Sequence, residues 1–202
     1  MKRSNYLYAF SILSTIVLLL SCRRNDTRFY NDNDHPGISI FSNTGNNVLS
    51  CFIADRAWRT VDRTTSYGRI TYEVFIRRSS SNLVKDTMEI SWHGFYADSG
   101  YRGDQLYLYL TMPHNFTYKD FRSLNGQRLH IDGSNGYFAS TLQNQNVRGM
   151  GNIYFNTAQI DSIAPGLKRG EFSGLFDITF PSLKIANGRF DHTLTTEQLT
   201  GF

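Results

Sequence analysis

Three alternate residues, Glu89, Ser91 and His93, have the side-chain types of an acyl-transfer centre: an acid, a nucleophile and a base. A hydroxyl nucleophile needs its base within hydrogen-bond reach. On a strand, alternate residues share one face with Cα atoms nearly 7 Å apart, at roughly 3.3 Å per residue. Their side chains then run side by side instead of converging, so the set reads as a half-solvated strand face. His130-Ile131-Asp132 and Asp191-His192 are isolated pairs and read as surface polar residues. The chain contains no Gly-x-Ser-x-Gly elbow and no phosphate-binding glycine loop. His35, His93, His114, His130 and His192 are widely spaced, and no His or Cys pair has ligand spacing. No catalytic residue, metal site or cofactor is therefore assigned. A hydrolase assembled from distant residues, such as His93 or His192 with an acid, stays open as an alternative.

The two cysteines have different settings. Met1-Lys2-Arg3 is a short positive start, Leu7 to Leu20 is mostly apolar, and Leu19-Leu20-Ser21-Cys22 follows. A positive region, an apolar stretch and a small residue at the cut describe a secretory signal. The apolar run of about fourteen residues is short of the roughly 20 that a membrane span needs. A cysteine directly after the cut resembles the bacterial lipoprotein signal. That implies cleavage between Ser21 and Cys22, a diacylglyceryl thioether on Cys22 and an acyl chain on its new amino group. Two or more long chains hold a protein on a membrane stably. Cys51 then has no intrachain partner. Within the strand-like Val48-Leu49-Ser50-Cys51-Phe52-Ile53 it reads as buried core.

Residues 1–21 are accordingly the signal. Residues 22–37 are polar and read as a flexible tether, and 38–202 form a single domain. Without Lys2 and Arg3 the chain has 19 basic against 17 acidic residues, with no long basic block. That balance argues against nucleic acid as a partner.

The domain must be built of strands. Ile70, Tyr72, Val74 and Ile76 alternate, as do Met88, Ile90 and Trp92, then Leu106, Leu108, Leu110 and Met112. In 172–180, Phe172, Phe176, Ile178 and Phe180 share a side, with Glu171, Ser173, Asp177 and Thr179 expected outward. Such alternation marks strands with one buried face. Further strands are expected at 47–53, 57–62, 127–132, 136–142, 150–160 and 184–194. A bulge or tight turn is expected at Asn187-Gly188. One short helix is expected between Thr117, paired with Asp120, and Asn125-Gly126. The fold class is all-β: a single antiparallel barrel or sandwich of about nine or ten strands. Trp92, Tyr107 and Tyr109 are candidate walls of a ligand pocket.

The stretch Cys51-Phe52-Ile53-Ala54-Asp55-Arg56-Ala57-Trp58 and the closing meander resemble a group of small uncharacterised lipoproteins of Bacteroidota. The meander segments are Gly151-Asn152-Ile153-Tyr154-Phe155, Gly170-Glu171-Phe172-Ser173-Gly174-Leu175-Phe176 and Ile185-Ala186-Asn187-Gly188-Arg189-Phe190-Asp191. The resemblance covers the leader and roughly the last fifty residues, and the middle by rhythm. It implies a lipocalin-like or related β-domain and brings no catalytic residue. Where that group often has Asn-Gly before the tryptophan, this chain has Asp55-Arg56-Ala57. Asp86-Thr87-Met88 and Asp161-Ser162-Ile163 resemble the Asp-Ser/Thr-apolar sites glycosylated in that phylum, making Thr87 and Ser162 candidate O-glycosylation sites. Surface-exposed lipoproteins of the phylum tend to have acids after the cysteine. Arg23-Arg24 differs and points to the periplasmic face of the outer membrane.

Together these features point to a lipid-anchored, non-enzymatic envelope protein that binds a small apolar ligand, a glycan or a partner protein. The alternatives are a structural subunit of an outer-membrane complex and the hydrolase above.

Overall fold

The computed structural model describes residues 29–60, 72–79, 85–98, 103–142 and 147–201. Residues 1–21, expected to be a signal, and Cys22 lie outside them. The strands are β1 (Val48–Ile53), β2 (Arg56–Arg59), β3 (Tyr72–Arg77), β4 (Asp86–Tyr96), β5 (Asp104–Met112) and β6 (Arg128–Ile131). They continue with β7 (Gly136–Ser140), β8 (Met150–Ala164), β9 (Leu167–Phe180), β10 (Leu183–Thr195) and β11 (Leu199–Thr200). All belong to one mostly antiparallel sheet, strongly curled into a half-barrel. The eleventh strand, beyond the nine or ten expected, is a two-residue piece lying parallel to β3. The expected helix is a 3-10 turn, Asp120–Leu124. Thr117 and Asp120 do pair ahead of it, the Thr117 hydroxyl donating to the carboxylate at 2.7 Å.

Local chemistry sets the connections. Ala54 and Asp55 form the β1–β2 turn with φ of 48° and 66°, a left-handed pair in a two-residue hairpin loop. Pro165-Gly166 joins β8 to β9, with Gly166 at φ 72°. The register of β10 against β9 slips between Ile185 and Gly188, where Asn187 has φ 53°. This is the bulge expected at Asn187-Gly188.

The concave side is filled with rings. Trp92 is fully buried, with centroids 6.4, 6.4 and 5.9 Å from Phe172, Phe176 and Phe190. Phe121, from the 3-10 turn, meets Phe172 edge-on at 6.4 Å. Gly174 makes room for Phe190: a Cβ there would lie 2.5 Å from the ring and 2.0 Å from the Tyr154 carbonyl oxygen. Phe172, Phe176, Ile178 and Phe180 all point inward. Ser173 does not follow the expected pattern, being buried although it faces outward. Residues 42–46 close over the outer face at the neighbouring Asp191. Asp191, its partner across β10, accepts the N–H groups of Thr44, Gly45 and Asn46 and the Ser42 hydroxyl.

Residues 29–37, read from sequence as the end of the tether, pack on the sheet. Asn31 bridges Ser39, and Arg189 on β10 donates to the Asp32 carboxylate. Arg189, with the Asp34 N–H, holds that carboxyl down at about 2, against the opposing effect of partial burial.

Candidate functional site: the outer face of β6, β8 and β9

The residues singled out from sequence do not assemble into one centre. Trp92 lies opposite Leu106 across the β4–β5 ladder and faces the core, whereas Tyr107 lies opposite Ser91 and Tyr109 opposite Glu89 on the outer face. The proposed pocket of Trp92, Tyr107 and Tyr109 is thus split between two sides of one sheet. Alternation fixes faces within a strand, but only register decides which faces coincide. Tyr109 stacks on Tyr137 at 4.6 Å and neighbours Tyr107 at 6.1 Å. Desolvation, with the Glu89 charge nearby, pushes the Tyr109 phenol up to about 12.

Glu89 is held by Arg77 of β3 at 2.7 Å, and the His93 imidazole contacts the Gln105 amide of β5 at 3.0 Å, so the acid and the base turn to opposite neighbouring strands. His114 Nδ1 lies 3.6 Å from the Asp86 carboxylate, beyond hydrogen-bond reach; the carboxylate is held by Arg78 and the N–H groups of Ser79 and Phe116. Burial works to raise the Asp86 carboxyl, and these donors overcome it and hold it below its ordinary value. Asp191-His192 departs most from its reading as a surface pair. Asp191 is 4% exposed and His192 is not exposed at all. The His192 ring stacks on Tyr72 at 3.9 Å and accepts the Trp92 indole N–H at Nε2, 3.0 Å away. Desolvation drives its pKa down to about 3. A neutral imidazole sealed in this way has no route to a substrate proton. Cys51 is buried, and desolvation pushes its thiol well above the usual range. Of the candidate glycosylation residues, Thr87 is half-buried between buried Asp86 and Met88. Ser162 is exposed beside Ile163 near the β8–β9 hairpin tip.

A different set of residues does come together. Register aligns Arg128 of β6 with Tyr154 of β8, and Tyr154 with Leu175 of β9. Two residues along, it aligns His130 with Asn152, and Asn152 with Asp177. All six side chains belong to the outer face, where the two rows line an open groove of about 440 Å³. The first row combines the half-buried Tyr154 ring, the exposed branch of Leu175 and the Arg128 guanidinium, 5.2 Å from the ring centroid. In the second row His130 Nδ1 donates to the Asn152 amide oxygen at 2.9 Å. Asp177 Oδ1 accepts the Asn187 N–H at 2.9 Å, so the β10 bulge braces the groove from one side. Sequence reading placed these residues on strands but missed them as a site. The alternation of 150–160 and 172–180 marks Asn152, Tyr154, Leu175 and Asp177 as outward within each strand. It carries no signal that β6 joins them.

No protein-family model, curated protein or solved structure matches this chain.

Proposed function

We propose that this chain is a lipid-anchored cell-envelope protein that binds its ligand on the outside of a β-barrel and carries out no chemistry. The leader ending in Ser21-Cys22 supports the anchor, and Arg23-Arg24 supports the periplasmic face of the outer membrane. A pair of hydrogen bonds between Phe138, on β7, and Gly149, just before β8, supports a barrel over a sandwich, because it links the end of the β4–β5–β7 branch back to the β8 side of the sheet. The ring-packed interior around Trp92 argues against an apolar ligand held inside.

The groove of β6, β8 and β9 is the observation that carries the binding reading. Ligand sites combine an apolar floor with a few placed polar groups, and Tyr154 and Leu175 against Asn152, Asp177 and His130 fit that pattern. The test is photo-cross-linking in intact cells, with p-benzoylphenylalanine at position 175 or, as control, at exposed position 73 on the outer face of β3. A mass-shifted adduct from position 175 and none from position 73 is the expected result. No adduct from either position would refute the groove as the binding site. A second reading, a structural subunit of a larger complex, draws on the β8–β9 hairpin tip, where Ile163 is 57% and Leu167 48% exposed. An adduct at position 163 in place of 175 would favour it.

A further inference from the structure

We infer that the groove's ligand is a neutral saccharide chain, an inference resting on the groove reading above. A sugar ring has two unlike surfaces, an apolar face of C–H groups and an edge of hydroxyls that both donate and accept. The groove presents the matching surfaces as adjacent rows, set about 7 Å apart by two residues of strand rise. Tyr154 and Leu175 make the apolar row. Asn152, Asp177 and His130 make the polar row.

The polar row is suited to hydroxyl pairs. With His130 donating to the Asn152 amide oxygen, the Asn152 NH2 group and His130 Nε2 are turned to other partners. Asp177 uses Oδ1 on the Asn187 N–H, and Oδ2 makes no hydrogen bond among the described residues. One planar donor beside one planar acceptor is the complement of two neighbouring hydroxyls, each of which gives a proton to one group and takes one from the other.

Charge narrows the class. Arg128 and Asp177 balance one another, and the groove contains no lysine. A phosphate or sulfate ligand would call for a surplus of cations, and a lipid tail would have no use for the polar row. The exposed Arg128 contact with Tyr154 is weak enough for a ligand to displace, which would free guanidinium N–H groups for further hydroxyls. Strand addition by a peptide is not open to β8 or β9 here, since both are paired on both edges across the groove. At the groove a peptide could add a strand to β6, which ends the sheet order, but it would then lie beside the two rows and not across them.

The test is affinity electrophoresis of the full chain in detergent. Gels would contain neutral polymers (yeast mannan, amylopectin, mixed-linkage β-glucan, xylan or galactomannan) or acidic polymers (polygalacturonate or heparin). At least one neutral polymer should retard the chain. Its dissociation constant should rise tenfold or more in Tyr154→Ala and in Asp177→Ala. Asn152→Ala and Asp177→Ala alter exposed side chains and keep the test usable if Tyr154→Ala unfolds; urea midpoints check this. Three results would overturn the inference: no retardation by any neutral polymer, retardation by acidic polymers only, or retardation unchanged in all three variants. A protein adduct from position 175 with no retardation by any neutral polymer would sink the saccharide and leave the groove reading standing. The absence of both would end both.

Discussion

His192 makes the fold sensitive to mild acid in a way that can be isolated. The folded chain holds its imidazole neutral down to about pH 3, whereas an ordinary histidine takes a proton near 6.5. Between those values the unfolded chain binds a proton that the folded chain refuses. Stability is therefore intact above about pH 6.5 and falls as pH drops, by roughly 1.4 kcal/mol per unit. Over the whole interval the loss approaches about 5 kcal/mol, and between pH 7 and pH 5 it is about 2 kcal/mol. A domain's total stability is on the order of 5–15 kcal/mol, so the effect is large.

The comparison variant is His192→Gln, whose amide oxygen can still accept the Trp92 indole N–H. The variant loses the stack on Tyr72 and starts from a lower stability, so the measurement concerns slope, not level. Urea melts followed by tryptophan fluorescence at pH 7, 6 and 5 give both curves. The titrations of other groups appear in both and cancel in the difference. The wild type should lose about 2 kcal/mol more than His192→Gln across that range. Parallel curves would mean that His192 takes its proton in the folded state, and the burial argument would fail.

Phe176→Ala should cost about 3–5 kcal/mol in the same melts, because the ring packs against Trp92, Phe138 and Phe190; an unchanged midpoint would mean the facing of β9 is misread. Gly174→Ala should cost at least about 1–3 kcal/mol, since the added Cβ meets the Tyr154 carbonyl oxygen, which is backbone and cannot step aside. Asp86→Asn should cost about 2 kcal/mol at pH 7. Its deficit should shrink as pH falls below about 4, where the unfolded wild-type chain takes up a proton that the folded carboxylate, held low by its donors, still refuses; a deficit independent of pH would show that the charge does not matter. Cys22→Ala should abolish labelling by an alkyne fatty acid, and equal labelling of both chains would rule out the anchor.

Much of the fold is legible along the chain because each strand carries its own signal. Ten stretches of alternation or apolar run fall within a few residues of β1 to β10, and the Asn187-Gly188 bulge falls where glycine chemistry places it. The misses share one cause, contacts between segments remote in sequence. Ser173 is polar at an outward position and is buried beside Asp191, the residue on which residues 42–46 close. Asp191 and His192 look like a surface pair until the same covering loop reaches one, and Tyr72 and Trp92 reach the other from strands a hundred residues or more away. The two-residue β11 is too short to show a period at all.

The groove was not legible for a related reason. Alternation places Tyr154 and Leu175 outward, but their meeting depends on a β8–β9 register that passes through an irregularity between Phe155 and Thr157. A one-residue slip there would send the partner of Tyr154 to the opposite face of the sheet. The Asn187-Gly188 bulge acts on the same site from the other flank: it is the Asn187 N–H that fixes one Asp177 oxygen and leaves the other facing the groove. The strand irregularities that local sequence marks as turn chemistry are therefore part of what shapes the outer surface. Straightening the bulge by deleting Asn187 should disturb ligand retention by the groove more than any single change on the Tyr107, Tyr109 and Tyr137 stack, which lies on β5 and β7 and is not part of the groove lining.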